Sequence, residues 1–361
     1  MGKRRFCFGS GSIIRGSQPD SSSIVIKMKV LVTGATGFIG GNLARRLCQR
    51  GYEVSALVRP GANTLTIDDT GVEQFPGDIL NRESVDRAVE GCQGVFHCAA
   101  TYAFWSRTPD TIHRTNVDGT KTVLQAARQA GAARVVLTST VSTMGFWPGK
   151  LSTEETLLDP SHLIGHYKNS KYQAELLAFE MAVEGLPLVV VNPTASVGPW
   201  DVKPTPTGKI VLDFMRGRIP SYLDTGMNLV DVEDTAEGHI LAMERGIPGQ
   251  RYLLGNKNVS LIEMFRMLQE ITGRPVPRWR VPYWMALAAG YLDEAVEGKM
   301  LSREPRIPVE GLKVARSPMY VDCGEAVREL GLPQNSVEAA LEKSVRWFTN
   351  HGYVGAGGRS K

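Results

Sequence analysis

The stretch Lys29-Val-Leu-Val-Thr33-Gly34-Ala-Thr-Gly37-Phe-Ile-Gly40 decides the fold of this 361-residue chain. Its first five residues form a β-branched run that is typical of a buried parallel strand. Three glycines follow at GxxGxxG spacing, and a helical pattern comes after them. Glycines let backbone N–H groups approach a phosphate at a helix N-terminus, where the helix dipole favours negative charge. The stretch therefore predicts a dinucleotide-binding turn, and the alternative is a tight turn that holds no ligand.

Strand and helix patterns alternate from this turn as far as Asn192. The alternation implies right-handed crossovers and a parallel sheet that is covered by helices on both faces. We therefore predict an α/β fold, a Rossmann-type doubly wound parallel sheet with a smaller C-terminal substrate-binding lobe. After the first strand, the predicted strands are 54–58, 72–75, 95–98, 134–138 and 188–192, and the predicted helices are 42–50, 84–89, 111–130 and 167–182.

The predicted domain boundaries follow the change in pattern after Asn192, where proline- and glycine-rich connections begin. The dinucleotide-binding domain spans 28–195, and the substrate-binding lobe spans 196–349, with some of its elements returning to the first domain. Residues 1–27 are predicted to be a disordered extension, or to precede a true start at Met28. Their serines and low acidity leave a transit peptide as the alternative. Residues 350–361 have the composition of a flexible tail.

Composition and charge exclude several classes of protein. The chain has 42% apolar and 22% charged residues, which is the profile of a globular protein. The net charge of +4 resides in residues 1–27, so the remainder is neutral and lacks the basic footprint of a nucleic-acid binder. Five scattered cysteines, none in CxxC spacing, predict a reducing, cytoplasmic setting rather than a disulfide framework or zinc site.

No apolar run approaches the roughly 18 residues that span a bilayer, so no integral membrane segment is predicted. The longest apolar stretch, near Trp284–Tyr291, is interpreted as core of the second lobe. A lipid-like substrate would make a peripheral membrane contact of this stretch the alternative.

The end of the second predicted strand bears on the choice of cofactor. A carboxylate there binds the ribose 2′-hydroxyl of NAD, whereas an arginine accommodates the 2′-phosphate of NADP. The strand ends Leu57-Val58-Arg59-Pro60, without an acid. The sequence therefore favours NADP(H) with Arg59 on the phosphate, and NAD stays open because Arg59 could equally be a solvated turn residue. Asp78 and Ile79, after the third strand, are predicted adenine contacts, with a simple turn aspartate as the alternative.

Tyr167 and Lys171 lie four positions apart in a predicted helix, so their side chains share one face. An adjacent ammonium group favours the phenolate, and the pair therefore predicts a tyrosine whose pKa falls toward the range useful for acid–base chemistry. Thr138-Ser139-Thr140 ends the fifth predicted strand and can reach the same cleft.

Together, TGxxGxxG, the strand-end hydroxyls and YxxxK resemble the extended short-chain dehydrogenase/reductase superfamily, over about 28–348. The resemblance implies that Tyr167 is the general acid/base, that Lys171 binds the nicotinamide ribose and tunes Tyr167, and that Thr140 holds the substrate oxygen. It also implies a water-linked proton relay through Asn116. Serine is commoner in the family at Thr140, with Ser142 as a fallback, and many family epimerases carry Asp at Arg59. The cofactor-binding candidates are Gly34, Thr36, Gly37, Phe38, Ile39, Gly40, Arg59, Asp78, Ile79, Ala99, Ala100, Tyr167, Lys171, Asn192 and Pro193.

Within the superfamily, the chain resembles the hopanoid-associated sugar epimerase group and its dihydroflavonol 4-reductase relatives. The matching segments are 99–102 with Trp105, 164–171, 192–194, 198–199 with 203–208, and 224–230 followed by Asp234 and 237–239. Tyr102, Phe104 and Trp105 either stack on substrate or pack as core beneath the second lobe, and His166 is a further candidate substrate contact. His162 and His166 lack an evident third ligand, so no metal site is predicted.

Three functions remain open on the sequence. The leading one is an NADPH-dependent carbonyl reductase acting on a small molecule that is sugar-like, a polyol, or flavonoid- or terpenoid-like. The second is an epimerase of a nucleotide-linked or hopanoid-linked sugar that retains NAD, and the third is a non-catalytic NADP(H) sensor. Dehydration is disfavoured because Ser139-Thr140 stands where related dehydratases carry acids. The superfamily resemblance implies a helix-mediated homodimer.

Overall fold

The computed structural model describes residues 28–354 except Phe104, Pro148 and Ser302, and it does not describe the side chain of His162. The predicted extension 1–27 and residues 355–361 of the predicted tail lie outside the described residues.

The strands and helices of the described chain follow in sequence order. The strands are β1 (Lys29–Thr33), β2 (Glu53–Val58), β3 (Glu73–Pro76), β4 (Gly94–His97), β5 (Arg134–Thr138), β6 (Leu188–Pro193), β7 (Ala195–Val197), β8 (Ser221–Tyr222), β9 (Gly226–Asp231), β10 (Arg251–Leu254), β11 (Lys257–Ser260) and β12 (Trp279–Arg280). The helices are α1 (Phe38–Gln49), α2 (Arg82–Val89), α3 (Pro109–His113), α4 (Gly119–Gln129), α5 (His166–Val183), α6 (Pro206–Met215), α7 (Val232–Arg245), α8 (Leu261–Thr272), α9 (Tyr283–Asp293), α10 (Val309–Val314), α11 (Gly324–Glu329) and α12 (Val337–Asn350).

The main sheet is parallel, with the order β10-β6-β5-β4-β1-β2-β3. The chain runs outward from β1 through β2 to β3, and then crosses to β4 on the other side of β1. Thr33 at the end of β1 pairs with Leu57 of β2 and with His97 of β4. A ligand crevice forms where the strand order reverses in such a sheet, at the carboxyl ends of the strands. The glycine turn follows β1 directly and so lies at this crevice.

Apolar residues cover the sheet on both faces, which confirms the predicted doubly wound architecture. On one face, side chains of α1 and α7 pack on the strands, and Leu43 and Ile240 are examples that are fully buried. On the other, α2, α4 and α5 supply residues such as Val85, Leu124 and Ala178. These continuous Val- and Leu-rich strands are buried on both sides because each face carries its own helical layer.

One predicted helix is divided in the structure. The single helix predicted for 111–130 is α3 and α4 joined by a π-helical turn over Arg114–Asp118. The sequence after the sixth strand also returns to the first domain, because β10 extends the main sheet beside β6 and α7 packs against α1. Such returns were expected, and they place part of 196–349 in the dinucleotide-binding domain.

The second lobe has its own small sheet, β11-β9-β7, and a core formed mainly by α6, α8 and α12. Phe214 and Phe265 stack in that core with ring centroids 5.5 Å apart. The interpretation of Trp284–Tyr291 as lobe core is wrong, because Gly290 is the buried residue of α9 whereas Trp284 and Tyr291 are exposed. The physical reason is that the three helices α6, α8 and α12 already fill the core. Among the described helices, none combines the length and apolarity needed to cross a bilayer.

Candidate active site

The glycine turn forms a cradle that side chains would fill. Gly34 has φ +77°, and a Cβ on it would lie 2.6 Å from the Ala99 amide nitrogen at the end of β4. A Cβ on Gly40 would overlap the Gly34 carbonyl oxygen, which accepts a 2.9 Å hydrogen bond from the Gly37 amide. No side chain caps α1 at Gly37. The turn therefore presents an open helix N-terminus at the crevice, and this arrangement fits a dinucleotide pyrophosphate.

The other predicted cofactor contacts flank this cradle. Arg59 follows β2, is exposed, and forms no ion pair with another described residue. The Asp78 carboxylate accepts a hydrogen bond from the Leu80 amide (2.9 Å), and the Asp78 amide donates to Ser84 Oγ (3.1 Å). Ile79 is buried. Asp78 thus has the hydrogen bonds of a turn residue, and its adenine contact stays a prediction.

A buried histidine that sequence reasoning missed links the cradle to the π-helical turn. Thr33 Oγ1 donates to His97 Nδ1 (2.7 Å), and His97 Nε2 donates to Thr120 Oγ1 (2.9 Å), because the Thr120 hydroxyl proton is used on the Asn116 carbonyl (2.6 Å). Burial lowers the pKa of His97 to about 3, and the charge of Lys171 lowers it further. His97 is therefore a neutral structural linker.

Asn116 occupies the π-helical turn and holds the loop after β4. Its Oδ1 accepts from the Thr101 amide (2.7 Å), and its Nδ2 donates to the Thr101 carbonyl (3.0 Å) and to Ser170 Oγ (2.9 Å). Because Ser170 lies on α5, Asn116 ties that loop to the helix of Tyr167. These bonds give Asn116 a positioning role, and the water-linked relay stays a prediction.

Tyr167 and Lys171 lie on one face of α5, and both are buried. Lys171 Nζ donates to the Thr138 carbonyl (2.7 Å), and burial lowers its pKa to about 8 against the opposing charge of Glu175. Burial raises the pKa of Tyr167 to about 12, and a hydrogen bond with Thr140 opposes the rise. This direction is opposite to the one expected from the sequence. The reason is that the ammonium is bound to a carbonyl while the Tyr167 ring packs on Tyr102, with centroids 4.4 Å apart.

Thr140 begins a short 3-10 turn directly after β5, and its Oγ1 accepts from the Ser142 amide (3.2 Å). The structure thus brings Thr140 to Tyr167, with Ser142 beside it, and the role of Thr140 toward the substrate stays a prediction. Asn192 Nδ2 donates to the Thr140 carbonyl (3.1 Å), so the end of β6 is held against the same turn. Pro193 follows in β6 and is buried.

Glu175 is a second residue that sequence reasoning missed. Its Oε2 accepts from Ser139, from Thr143 (2.8 Å) and from Asn192 (2.9 Å), and its Oε1 pairs with Arg251 at 3.0 Å. This network joins α5 to the turn after β5, to β6 and to β10, near enough to Lys171 for the Glu175 charge to act on its pKa. A signal existed, because Tyr167, Lys171 and Glu175 repeat every four residues on one helix face.

A cavity of about 340 Å³ lies between the loop that begins at Ala103, the start of α5, and helices α9 and α10 of the second lobe. Tyr102 is 47% exposed, although its hydroxyl is buried near Tyr167 and Glu310 and burial strongly raises its pKa. Trp105 and His166 line the cavity, as their candidate role requires, whereas Phe104 and the His162 side chain lie outside the described residues. The remaining lining residues are seven apolar or small ones, Ala103, Pro109, Ile112, Ile164, Gly165, Tyr291 and Val309, and four polar or charged ones, Ser106, Glu294, Glu310 and Lys313.

Glu310 lies in α10 of the second lobe, and its carboxyl group contacts the N-terminus of α5. A Cβ on Gly165, which has φ +83°, would overlap the Glu310 carboxyl group, and the His166 amide donates to that carboxylate. Burial raises the pKa of Glu310 to about 7, whereas the His166 amide lowers it. A carboxylate at a helix N-terminus satisfies an amide that the helix leaves unpaired. No sequence pattern signalled this contact, because it joins residues far apart in the chain.

The raised pKa of Glu310 predicts a pH-dependent stability. The folded state retains the proton that the unfolded state releases above its pKa of 4.5, so Glu310 stabilises the fold below pH 4.5 and this contribution is lost as pH rises through about 7. Glu310→Gln removes the titration and keeps an oxygen for the His166 amide. We expect the free energy of unfolding of the native protein relative to the variant to fall between these pH values and to be flat above pH 8.

Urea denaturation at closely spaced pH values measures this difference. Glu304→Gln, on the same segment but exposed, is the matched control and should give a difference that does not vary with pH. A pH-independent difference for Glu310→Gln would contradict the assignment.

Known proteins with a similar sequence or structure belong to a family of dinucleotide-dependent enzymes. The model of the NAD dependent epimerase/dehydratase family matches residues 30–255. The chain belongs to this family.

Several relatives match this chain along most of their own length. A Synechocystis protein named "Putative dihydroflavonol 4-reductase" is 44% identical over 90% of this chain and 95% of its own. Sterol demethylase protein B of Methylococcus capsulatus is 34% identical over 91% of this chain and 100% of its own. The crystal structure of gox2253 superposes with a TM-score of 0.81 at 35% identity, covering 91% of this chain and 99% of the other. The chain is therefore an enzyme, an oxidoreductase of the extended short-chain dehydrogenase/reductase type.

Proposed function

We propose that this enzyme is an NADPH-dependent carbonyl reductase for an apolar small molecule of the flavonoid or terpenoid class. The observation that carries the proposal is the position of Tyr167, which contacts Thr140 and directly follows His166, a residue that lines a cavity in which apolar residues are the majority. The aromatic and aliphatic lining favours a fused-ring substrate over a sugar nucleotide, whose hydroxyl and phosphate groups need many polar partners.

The glycine cradle and Arg59 would hold the cofactor, with the pyrophosphate at the start of α1 and the 2′-phosphate on the Arg59 guanidinium. When bound, the reduced nicotinamide supplies a hydride. Lys171 would bind the nicotinamide ribose, and Ala99, Ala100, Asn192 and Pro193 border the same crevice.

Tyr167 would act as the general acid at the substrate oxygen, while the Thr140 hydroxyl holds that oxygen by a hydrogen bond. A pKa near 12 keeps the Tyr167 phenol protonated at neutral pH, and a protonated phenol is the form that reduction of a carbonyl consumes. Lys171 lies one helical turn away, and it would stabilise the phenolate that proton transfer leaves if its ammonium turned from the Thr138 carbonyl toward Tyr167.

The names of several relatives support an apolar substrate. A Stigmatella aurantiaca relative, 32% identical over 84% of this chain, is named as the ketoreductase of a farnesyl dihydroquinoline oxide. A mouse relative, 29% identical over 89% of this chain, is named sterol-4-alpha-carboxylate 3-dehydrogenase, decarboxylating. Both names describe the oxidation or reduction of a ring-containing molecule with a large hydrocarbon part.

An epimerase that retains NAD is the second candidate, and the family match favours it. A nucleoside-diphosphate-sugar epimerase from Pseudomonas aeruginosa superposes with a TM-score of 0.76 at 25% identity. The two candidates differ in cofactor exchange, because a reductase releases its cofactor on every turnover and an epimerase does not. The non-catalytic sensor that the sequence left open is set aside, because the family and the relatives make the chain an enzyme.

We also take the enzyme to be a cytoplasmic homodimer that pairs through α4 and α5. The described cysteines are unpaired, which suits a reducing compartment. Leu176 and Val183 of α5 are exposed apolar residues on the proposed pairing surface. Light scattering of the purified chain measures the oligomeric state.

Arg59 gives the direct test of cofactor choice. Arg59→Ala is expected to weaken NADPH binding by about tenfold to a hundredfold, the effect of losing one charge-assisted phosphate contact, while NADH binding changes by less than about threefold. Fluorescence titration of the full chain with each nucleotide measures both affinities, and denaturation of the purified protein releases any nucleotide that it retained.

Arg218→Ala, an exposed arginine of the second lobe, is the control and should change neither affinity. Tightly retained NAD, or an equal loss for both nucleotides in Arg59→Ala, would reject the NADPH assignment and favour the epimerase.

A further inference from the structure

Helix α9 presents an apolar surface to the outside of the protein. Residues 281–292 contain no charged side chain, and Gly290 is the buried residue of the helix. Trp284 and Leu292, which are 69% and 67% exposed, lie eight positions apart on one side of it, with Met285 and Tyr291 beside them. A helix on a protein surface normally turns polar residues outward, and α9 does the reverse.

Neighbouring segments extend this surface. Trp279 lies in β12 just before α9, and Met300, Leu301 and Ile307 follow it. The Ile307 amide donates to the Asp293 carboxylate (2.8 Å), so the chain after α9 folds back to the end of that helix. We call Trp279, Trp284, Met285, Tyr291, Leu292, Met300, Leu301 and Ile307 the apolar face. Scattered apolar residues are ordinary on a surface, whereas a concentration in one segment marks an interaction site.

The charges around the apolar face are strongly asymmetric. Among the described residues of 274–316, the exposed charged side chains are Arg278, Arg280, Lys299, Arg303, Arg306, Lys313 and Arg316 on the basic side, and Glu304 on the acidic side. Arg280 also pairs at 2.7 Å with Asp224, an exposed acid from outside this segment. The other acids of this segment are less exposed. Asp293 and Glu294 accept backbone hydrogen bonds, Glu297 lies near Arg306, and Glu310 caps α5. This asymmetry is local, because the chain after residue 27 is neutral overall.

The apolar face also adjoins the candidate active site. Tyr291 belongs to the apolar face and lines the 340 Å³ cavity, together with Glu294 at the end of the same helix. A molecule that lies against α9 is therefore next to the cavity that contains Trp105 and His166.

We propose that the apolar face docks on the surface of an anionic lipid bilayer, with its tryptophans in the interface and its basic residues at the lipid headgroups. Tryptophan, leucine and methionine with a lysine and arginine rim are the composition of an element that lies in a membrane surface. Docking places the cavity at the bilayer, so an apolar substrate reaches it without crossing water. This last consequence rests on the proposed function, whereas the docking itself does not.

A second copy of this chain is a poorer occupant of the apolar face. Two copies that meet through the same face around a twofold axis bring its basic rim against itself, because an isologous interface pairs each patch with its own counterpart. Such an interface offers the exposed basic side chains few acids, since Asp224 and Glu297 already pair with Arg280 and Arg306. An anionic bilayer supplies the missing negative charge.

The test is co-sedimentation of the full chain with sucrose-loaded vesicles at 0.1 M salt. One set of vesicles is pure phosphatidylcholine, and the other contains about one third phosphatidylglycerol. We expect binding to the anionic vesicles that is at least about fivefold stronger than binding to the neutral ones and that weakens as salt rises. Residues 1–27 are basic and can themselves bind anionic vesicles. The variants that decide the proposal therefore all keep these residues and are compared with the native full chain.

Two variants address the two parts of the apolar face. Trp284→Ser with Leu292→Ser removes apolar side chains, and Lys299→Glu with Arg303→Glu reverses charge at its rim. Each should weaken binding to anionic vesicles at least about tenfold. The matched controls are Leu157→Ser, which is 72% exposed elsewhere, and Lys209→Glu with Arg218→Glu, which are exposed on another part of the second lobe. The controls should bind as the native protein does.

Three results would overturn the proposal. They are native protein that stays in the supernatant, apolar-face variants that bind as strongly as their controls, and an apolar-face variant whose light scattering shows a dimer becoming a monomer. Vesicle binding needs neither cofactor nor substrate, so it is decided separately from the reductase assignment. The same variants carry no change in the glycine cradle, so their NADPH affinity should equal that of the native protein. This equality is the control that the variants are folded.

Discussion

Tyr167→Phe is expected to lower kcat/KM for carbonyl reduction by about 10²–10⁴, the usual contribution of a positioned general acid. The variant lacks only the hydroxyl group, and the ring at position 167, at the start of α5, still packs on Tyr102. NADPH affinity should therefore change by less than about threefold, because the interaction that is lost is made in the transition state. Steady-state kinetics with a soluble aromatic ketone and fluorescence titration with NADPH measure the two quantities.

Tyr172→Phe is the matched control, since Tyr172 lies on the same helix, five positions further along and outside the site. It should retain native kcat/KM. Native activity in Tyr167→Phe would remove Tyr167 from the mechanism and leave the fold intact. A loss of NADPH affinity as large as the loss of activity would instead give Tyr167 a binding role.

Gly34→Ala is expected to cause a large loss of stability and of cofactor binding. The residue has φ +77°, which costs an alanine about 1–2 kcal/mol, and its Cβ would lie 2.6 Å from the Ala99 amide nitrogen. Displacing that backbone adds about 1–3 kcal/mol, so the free energy of unfolding should fall by about 3 kcal/mol. NADPH affinity should fall more than about tenfold, because the movement widens the cradle.

Gly51→Ala separates the two causes. Gly51 has φ +82°, but its Cβ would meet no atom within 4 Å. It should lose only about 1–2 kcal/mol of stability and retain NADPH affinity. Urea denaturation and NADPH titration measure both variants. If both variants lost the same free energy of unfolding and the same NADPH affinity, the close approach of Gly34 to Ala99 would contribute to neither quantity.

Should Gly34→Ala prove insoluble, Gly37→Ala keeps the test informative. A Cβ on Gly37 would be 3.2 Å from the Gly34 carbonyl oxygen, and Gly37 has no positive φ, so the fold should tolerate it. A fold that is retained with weakened NADPH binding supports the cradle as the phosphate site, and unchanged binding contradicts it.

The site divides into residues whose spacing is local and residues that only the tertiary structure assembles. Local spacing was sufficient to predict the glycine turn, because the strand, the glycines and the helix are consecutive in the sequence. It was also sufficient for Tyr167 and Lys171, because helical periodicity alone puts them on one face. Thr140 could be added because the carboxyl ends of parallel strands meet at one edge of the sheet.

Long-range contacts lay beyond this reasoning. Glu310 reaches Gly165 from the second lobe, and Arg251 reaches Glu175 from a strand that joins the sheet late in the chain. The pKa of Tyr167 was expected to fall and instead rises, because it depends on burial against Tyr102 and on the carbonyl that holds Lys171. Burial and the direction of a long side chain are properties of the packed structure.

The sequence by itself determined the doubly wound sheet, the position of the dinucleotide turn and the presence of the Tyr167 and Lys171 pair. Each of these depends on a period or a spacing within one element or between consecutive ones. Only the tertiary structure decided that α9 is exposed rather than buried, since an apolar helix has the same sequence pattern in either place. Its burial depended on whether α6, α8 and α12 already filled the core of the second lobe, and they do.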